Sequence, residues 1–392
     1  MSSSPIKIGV LATLFGPFQT VGEDGVRGVE LAVDEFGGAI AGRPIELYVG
    51  GTLGMPDGTM FKARELFQDQ GVDFIVGPLS GNEGLAIREL AKQMPDRTFI
   101  NGSSGAQELT LVDPAPNFFT FALNGVQCMA GMGRYAYEQL GYRKVVTLGE
   151  DYSYPHGQVG GFMLEFCELG GRVIDKLWVA LSEEDYSDVI PAIPAEADAI
   201  FLALGGTDAI NFLRQYENAP NRKPLFGGAI TTDQSVLSAE GVPADYLVGL
   251  VTASVTADDN PEPLWQDFVR AYQDKFPDGF NYPSYFALTY YNNTKAALLA
   301  LDSVGGDLSR GQRAFQEALA DVDFDSPCGP VRLDHKRGAI ANSFITVVEQ
   351  DANGVLYRKL LQEVEGVTTT LGLPENEFLA LGTFDAENPS CA

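Results

Sequence analysis

Phe74–Leu111, FIVGPLSGNEGLAIRELAKQMPDRTFINGSSGAQELTL, reads as two consecutive strand–loop–helix units whose loops are rich in Ser and Gly. In the first, the apolar run Phe74–Val76 stops at Gly77-Pro78, and Ser80-Gly81-Asn82-Glu83 opens a helix running to about Leu90. In the second, Thr98–Asn101 is strand-like and leads into Gly102-Ser103-Ser104-Gly105-Ala106-Gln107. Ser80-x-x-Glu83 and Ser104-x-x-Gln107 both have capping-box spacing, in which a Ser oxygen accepts from the amide three residues on. The free amides of a helix N-terminus also attract anions, and glycine lets a ligand approach the backbone. Taken singly, each loop reads first as an ordinary cap. Side by side, they suggest a cradle for a carboxylate or similar polar head group.

The same alternation runs outward in both directions. On the N-terminal side, strand Ile6–Ala12, helix Val21–Phe36, strand Ile45–Val49 and helix Thr59–Gln70 precede the decisive stretch. After Phe118–Leu123 a second series begins. It has helices at 131–140, 159–169 and 208–216, and strands at 144–148, 173–179, 199–204, 225–229 and 246–252. Short apolar strands alternating with helices indicate parallel sheets covered on both faces. Helical stretches at 263–276, 284–304 and 309–320 come next, then strand-like segments at 329–333, 339–349 and 355–361. That order predicts a return to the first lobe before the chain ends in the second. The expected division is 1–121 with 252–328 for lobe 1, 122–251 with 329–362 for lobe 2, and 363–392 as an unpatterned, surface-packed extension.

The chain has 392 residues, enough for two domains. Its 53 acidic against 26 basic residues give a net charge of −27, which argues against nucleic acid and anionic membrane surfaces as partners. No apolar run is long enough to span a bilayer. Cys128, Cys167, Cys328 and Cys391 lack C-x-x-C spacing, so a structural zinc is not expected. The even count permits disulfides, buried free thiols are equally compatible, and sequence does not pair them.

Signatures of catalysis are sparse. The two histidines, His156 and His335, are far apart, and there is no H-E-x-x-H, G-x-S-x-G, phosphate-binding G-x-x-x-x-G-K-[ST] or dinucleotide-binding G-x-G-x-x-G. The chain is therefore expected to be no enzyme, with no metal and no cofactor. Ligands of open α/β sheets bind at strand C-termini, which directs attention to the loops there. Phe15 and Phe18 line an apolar pocket or plug a core. Asp151-Tyr152-Ser153-Tyr154-Pro155-His156-Gly157 carries aromatic and hydrogen-bonding groups unusual in a plain connector. Thr207, Thr231 and Asp233 recur at equivalent places, where simple capping competes with ligand contact. Tyr282 opens a helix and could close over a ligand. Such rings, apolar in face and polar at the tip, suit a small-molecule cleft.

With these loops in place, the chain resembles the type I periplasmic substrate-binding proteins of ABC importers, in the leucine/isoleucine/valine-binding group. The matching motifs are Ile6–Val10 with Gly16-Pro17, Gly25–Asp34, Ile75–Pro78 with Ser80-Gly81, and Ser103–Leu109. Further on they are Gly141–Val145, Asp151-Tyr152 with Gly157, Asp198–Ile200, Tyr290–Leu301 and Gly329–Asp334. The resemblance implies an α/β fold of two Rossmann-like lobes with parallel sheets. Three crossovers are expected, near Phe121–Asn124, Val251–Val255 and Pro327–Val331, with a ligand clamped in the cleft by hinge closure. It implies a periplasmic monomer, its signal peptide removed, delivering a small-molecule ligand to ABC permease membrane subunits. Ser80, Gly81 and Asn82 with Ser103, Ser104 and Gly105 would hold a carboxylate. Phe18, Tyr152, His156, Thr207, Thr231, Asp233 and Tyr282 would complete the site. Amino-acid binders of this group carry an acidic residue after the strand matching Leu225–Gly228, where this chain has Ala229-Ile230 with Asp233 further on. The aromatic that often comes after the Gly-Pro loop is Val21 here. A carboxylate or amide ligand with an apolar or aromatic body is thus as compatible as an amino acid. The alternatives are a ligand-sensing receptor or regulator domain of the same fold and, less favoured, an α/β hydrolase-type enzyme.

Overall fold

A computed structural model describes residues 4–391. The chain forms two compact units: Met1–Leu123, Asp267–Gly279 and Phe286–Ala341 make unit 1, and Asn124–Gln266, Phe280–Tyr285 and Asn342–Ala392 make unit 2.

In unit 1 the N-terminal elements are β1 (Ile6–Thr13), α1 (Gln19–Glu35), β2 (Ala39–Ile40), β3 (Arg43–Thr52) and α2 (Pro56–Glu65). They are followed by β4 (Phe74–Val76), α3 (Gly81–Gln93), β5 (Phe99–Ile100), α4 (Glu108–Leu111) and β6 (Phe118–Phe119). The sheet order is β2-β3-β1-β4-β5-β6, parallel except for the β2–β3 hairpin. β4 and β5 are buried on both faces, as their continuous apolar sequence requires, and so is β1 except at the half-buried Lys7. One face packs Leu11, Ile75 and Phe99 against Leu66, Phe67, Ile87 and Leu90.

In unit 2 come α5 (Met132–Glu138), β7 (Lys144–Glu150), α6 (Ser153–Glu168), β8 (Arg172–Val179), α7 (Val189–Ala192), β9 (Ala199–Ala203) and α8 (Gly206–Tyr216). Then follow β10 (Leu225–Gly227), α9 (Gln234–Leu237), α10 (Ala244–Leu247) and β11 (Val251–Ser254). The parallel strands run β11-β10-β9-β7-β8, leaving β8 at the edge. Phe162 of α6 stacks on Phe201 of β9 at 4.6 Å and meets Phe226 of β10 edge-on at 5.4 Å, fastening the helix across these strands.

The remainder alternates between units. α11 (Pro263–Lys275) begins in unit 2 and ends in unit 1, while α12 (Tyr285–Ser303), α13 (Arg313–Ala320), β12 (Asp323–Ser326) and β13 (Gly329–Leu333) serve unit 1 almost entirely. β14 (Ala339–Gln350) starts in unit 1 beside β13 and continues in unit 2 beside β11, antiparallel in both places. β15 (Leu356–Val367) and α14 (Glu375–Ala380) finish unit 2.

Several sequence expectations change. Residues 246–250 are not strand: α10 occupies 244–247 and β11 starts at Val251. The helix expected from Val159 starts at Ser153, so the aromatic loop is largely its first turn. The segment from Glu363 is not merely an extension, since β15 continues to Val367 and Phe378 and Phe384 are buried. Residues 252–266 and 280–285 cluster with unit 2, where β11 pairs with β10, and 329–341 with unit 1, where the start of β14 pairs with β13 before the strand moves on to β11.

Candidate functional site

The unit 1 loops at the C-terminal ends of β1, β3 and β4 converge on Glu83. Ser80 is the N-cap of α3 in a complete capping box: its Oγ accepts from Glu83 N at 3.4 Å, and Ser80 N donates to Glu83 Oε2 at 3.0 Å. The same carboxylate accepts from Thr13 Oγ1 at 3.2 Å and from Thr52 and Thr59 Oγ1, each at 2.6 Å. Glu83 is fully buried, so a residue read from sequence only as half of a cap is the tie among three loops.

The second loop does not form the box expected of Ser104 and Gln107. α4 is a single turn starting at Glu108, its N-cap Gln107 makes no side-chain cap, and Ser104 Oγ donates to Gly81 O at 3.4 Å. The reason is Asn101, whose Oδ1 accepts from Ser104 N at 3.1 Å and whose Nδ2 donates to Ser104 O at 2.7 Å, fixing a turn where a helix start was expected. Ser103 Oγ donates to Leu79 O at 3.1 Å, and Ser80 Oγ donates to Gly54 O at 3.4 Å. All three serine protons are therefore directed at backbone carbonyls. Gly81 and Asn82, the first residues of α3, supply amides that the capping box does not use. Gly81, Gly105 and the three serines are buried, whereas Asn82 is exposed. The loop is backed by α12: Asn293 Nδ2 donates to Gly102 O at 3.0 Å, and a Cβ on Gly102 would lie 2.3 Å from the Tyr290 ring. Phe18, at 3% exposure, plugs the core.

In unit 2, Tyr152 is the half-buried N-cap of α6, and Thr207 is exposed in the first turn of α8. His156 turns toward the sheet edge, with Nε2 2.9 Å from Asp151 Oδ1 and its ring edge-on to Trp178 at 4.7 Å. Thr231 Oγ1 donates to Leu202 O and Leu204 O, both at 3.0 Å, tying the loop after β10 to β9. Asp233 is fully buried and committed: it accepts from Ser235 N at 3.1 Å and Tyr285 N at 2.7 Å, with Arg358 Nη1 3.9 Å away. Tyr282 is half-buried near Asp258, Asp259 and Asp351, and burial followed by these charges raises its phenol pKa. Sequence reading missed Gln158, whose Oε1 accepts from Ala229 N at 2.7 Å and sets the loop after β10.

Sequence reading also missed a buried acid pair. Glu150, ending β7, accepts from Gly205 N at 2.9 Å, and Asp208 accepts from Ser182 N at 2.8 Å. Oε2 of Glu150 and Oδ1 of Asp208 are buried without a hydrogen-bond partner. Burial above all pushes Glu150 well up and Asp208 to about 6 from 3.8. An acid with a raised folded pKa binds its proton more tightly when folded. Its penalty on stability therefore grows as pH rises from about 4 to about 6 and persists above that range. Asp208→Asn keeps an acceptor for Ser182 N, so it is expected to gain about 2–3 kcal/mol over the parent at pH 8 and much less at pH 4. Thermal melts of both proteins across that range check the sign; a gain that is largest at low pH contradicts it.

Two sheets thus present loops at the C-terminal ends of parallel strands, the arrangement in which open α/β proteins bind ligands. The profile of the periplasmic binding protein family matches residues 5–354. The chain belongs to that family. A substrate-binding protein of an ABC transporter from Sphaerobacter thermophilus is 31% identical, covering 92% of this chain and 98% of its own, with a TM-score of 0.82. A solute-binding protein of an ABC transporter from Rhodopseudomonas palustris BisB5, solved with 3,4-dihydroxybenzoic acid, is 24% identical (93% and 98% covered) with a TM-score of 0.85. The Leu/Ile/Val-binding protein homolog 6 of Brucella melitensis is 23% identical over 369 residues, 92% of each chain. As a family member the chain is an extracytoplasmic substrate-binding protein that takes a small-molecule ligand and works with ABC permease components. The family is one of binding proteins and not of enzymes. Among the described residues no helix is long and apolar enough to cross a membrane.

Proposed function

We propose that this protein captures a small organic carboxylate with an apolar or aromatic body for import, in preference to a free α-amino acid. The observation that carries this reading is the commitment of Asp233. Its oxygens serve Ser235 N, Tyr285 N and Arg358, and the residues before it, Ala229 and Ile230, are buried and apolar. The loop after β10 therefore offers no available carboxylate to an ammonium group. Solved relatives from Rhodopseudomonas palustris, similar in fold, hold benzoate and 4-hydroxybenzoate. The carboxylate is held by the α3 amides of Gly81 and Asn82, with Ser80, Ser103, Ser104 and Gly105 shaping the turn around them. Tyr152, Thr207 and Tyr282 remain proposed contacts from unit 2; His156, Thr231 and Asp233 position its loops, and Phe18 supports those of unit 1. The Cys167–Cys391 disulfide supports residence in an oxidising compartment, to which a signal peptide, removed on export, directs the chain. The protein acts as a monomer, and no bond is made or broken in the cycle.

One observation favours the second reading, an amino-acid ligand: the unpartnered oxygens of Glu150 and Asp208 could accept from an ammonium. A thermal-shift panel of benzoate, 4-hydroxybenzoate and 3,4-dihydroxybenzoate against leucine, isoleucine and valine separates the two. A ligand at 100 times its Kd stabilises by about 2.7 kcal/mol. The aromatic acids are expected to raise Tm and the amino acids to leave it unchanged; the reverse pattern overturns the proposal. Ser80→Ala and Ser103→Ala are expected to weaken the bound acid less than tenfold. Gly81→Pro removes an amide where proline suits the start of a helix, and should weaken binding more than either with its unliganded Tm retained.

A further inference from the structure

The family profile ends at residue 354, and the chain beyond it includes a segment fastened to the outside of unit 2. Cys391 is disulfide-bonded to Cys167, near the C-terminal end of α6, across 224 residues of sequence. Between α14 and that bond the chain runs beside β8, the edge strand of the unit 2 sheet. Lys176 Nζ donates to Glu387 O at 2.6 Å and Pro389 O at 2.8 Å, Trp178 Nε1 donates to Ala386 O at 3.0 Å, and Val173 N reaches Cys391 Sγ at 3.2 Å. Only one ring of this run enters the core. Phe384 lies on α6 where Gly160 leaves room, and a Cβ on Gly160 would stand 2.3 Å from that ring. Most of the remaining side chains of 381–391 are exposed or half-buried, including Cys391.

We infer that residues 381–391 form a redox-fastened strap that closes the exposed edge of β8 and holds Trp178 and His156 in place at the start of α6. One ring and a few side chain–backbone bonds anchor the run, so the disulfide supplies most of its attachment. Edge strands with unpaired backbone groups need such cover. The link to His156 is direct: Trp178 donates to the strap and carries the His156 ring edge-on, while the Asp385 carboxyl of the strap is held below its usual range chiefly by the Asn388 and Glu387 amides. Release proceeds by thiol–disulfide exchange with a dithiol. One thiolate bonds to a sulfur of the pair, the S–S bond breaks, and the leaving sulfur keeps the electron pair and takes a proton. The second thiol then displaces the first bond. The dithiol ends as a disulfide, and Cys167 and Cys391 have gained two electrons and two protons. Both sulfurs belong to half-buried residues, whereas the free thiols Cys128 and Cys328 are buried, and burial pushes Cys128 up to about 12. Reduction therefore acts at one place.

The test is hydrogen exchange of the full chain with and without dithiothreitol, and of the Cys167→Ser/Cys391→Ser variant. Amides of 172–179 and the first turns of α6 are expected to exchange roughly tenfold faster or more in the reduced protein and in the variant, while α3 of unit 1 keeps its protection. Tm should fall by roughly 5–15 °C. With two histidines in the chain, NMR should show the His156 ring shifting on reduction and His335 staying put. Phe384→Ala, which keeps the disulfide, should give a smaller effect at the same amides. Unchanged exchange at 172–179 on reduction overturns the inference. So does a uniform loss of protection in both units, since the disulfide would then be a global cross-link and not the fastening of a strap.

Discussion

Arg358→Met is expected to destabilise unit 2 by about 3–5 kcal/mol, the cost of leaving buried charges without their partner. Arg358 is fully buried on β15. Its Nη2 and Nε donate to the two oxygens of Asp258 at 2.7 and 3.2 Å, Nη1 donates to Ser254 Oγ at 3.1 Å, and Asp233 Oδ2 lies 3.9 Å away. Asp258 also accepts from Arg358 N at 2.7 Å and from Gln234 Nε2 at 2.8 Å. One guanidinium thus answers two buried carboxylates drawn from the segment after β11 and the cap of α9. Methionine fills similar space and removes the charge, so the loss measured is electrostatic more than steric. Urea melts check the magnitude. Adding Asp258→Asn to the methionine variant should recover part of the loss, and its failure to do so would put the effect in packing.

Glu83→Ala is the second large effect, expected at about 3–4 kcal/mol and centred on unit 1. It strands the buried Ser80 amide and Thr13 hydroxyl proton, leaves Thr52 and Thr59 only their weaker links to Ala12 O, Thr13 Oγ1 and Met55 O, and opens a cavity beneath α3. Ser80→Ala removes only the cap and should cost about 1 kcal/mol. The contrast is diagnostic. If the two variants lose equal stability, Glu83 is no more than the second half of a capping box. Because the Gly81 and Asn82 amides stand on that box, Glu83→Ala should also abolish binding of any carboxylate, read by thermal shift after correction for the lower starting Tm.

The strand–helix alternation that reveals the two sheets was legible because β1, β4, β7 and β9 are largely buried on both faces, so β4 and β9 read as unbroken apolar runs and β1 and β7 as mainly apolar ones. Ser80-x-x-Glu83 was legible because a capping box is local. Its wider role was not, since Thr13, Thr52 and Thr59 come from 24 to 70 residues away and threonine spacing carries no signal of a shared acceptor. Ser104-x-x-Gln107 has the same local spacing and fails, because Asn101 offers the backbone a competing turn. Asp233 looked available for a ligand because the partners that occupy it, Tyr285 N and Arg358, are 52 and 125 positions downstream. The Cys167–Cys391 pairing was equally invisible, with 224 residues between the sulfurs.

The position of Tyr290 has a consequence for how the chain is made. Its hydroxyl bonds Leu11 O across 279 residues, and its ring fills the space left by Gly25 and Gly102. During synthesis the first three-quarters of the chain must emerge before that ring arrives, and until then the sheet of unit 1 has one face without its central side chain. Non-local closure of this kind slows folding and prolongs exposure of apolar surface. A fragment ending near residue 123 would lack that ring and remain aggregation-prone instead of forming a free-standing domain.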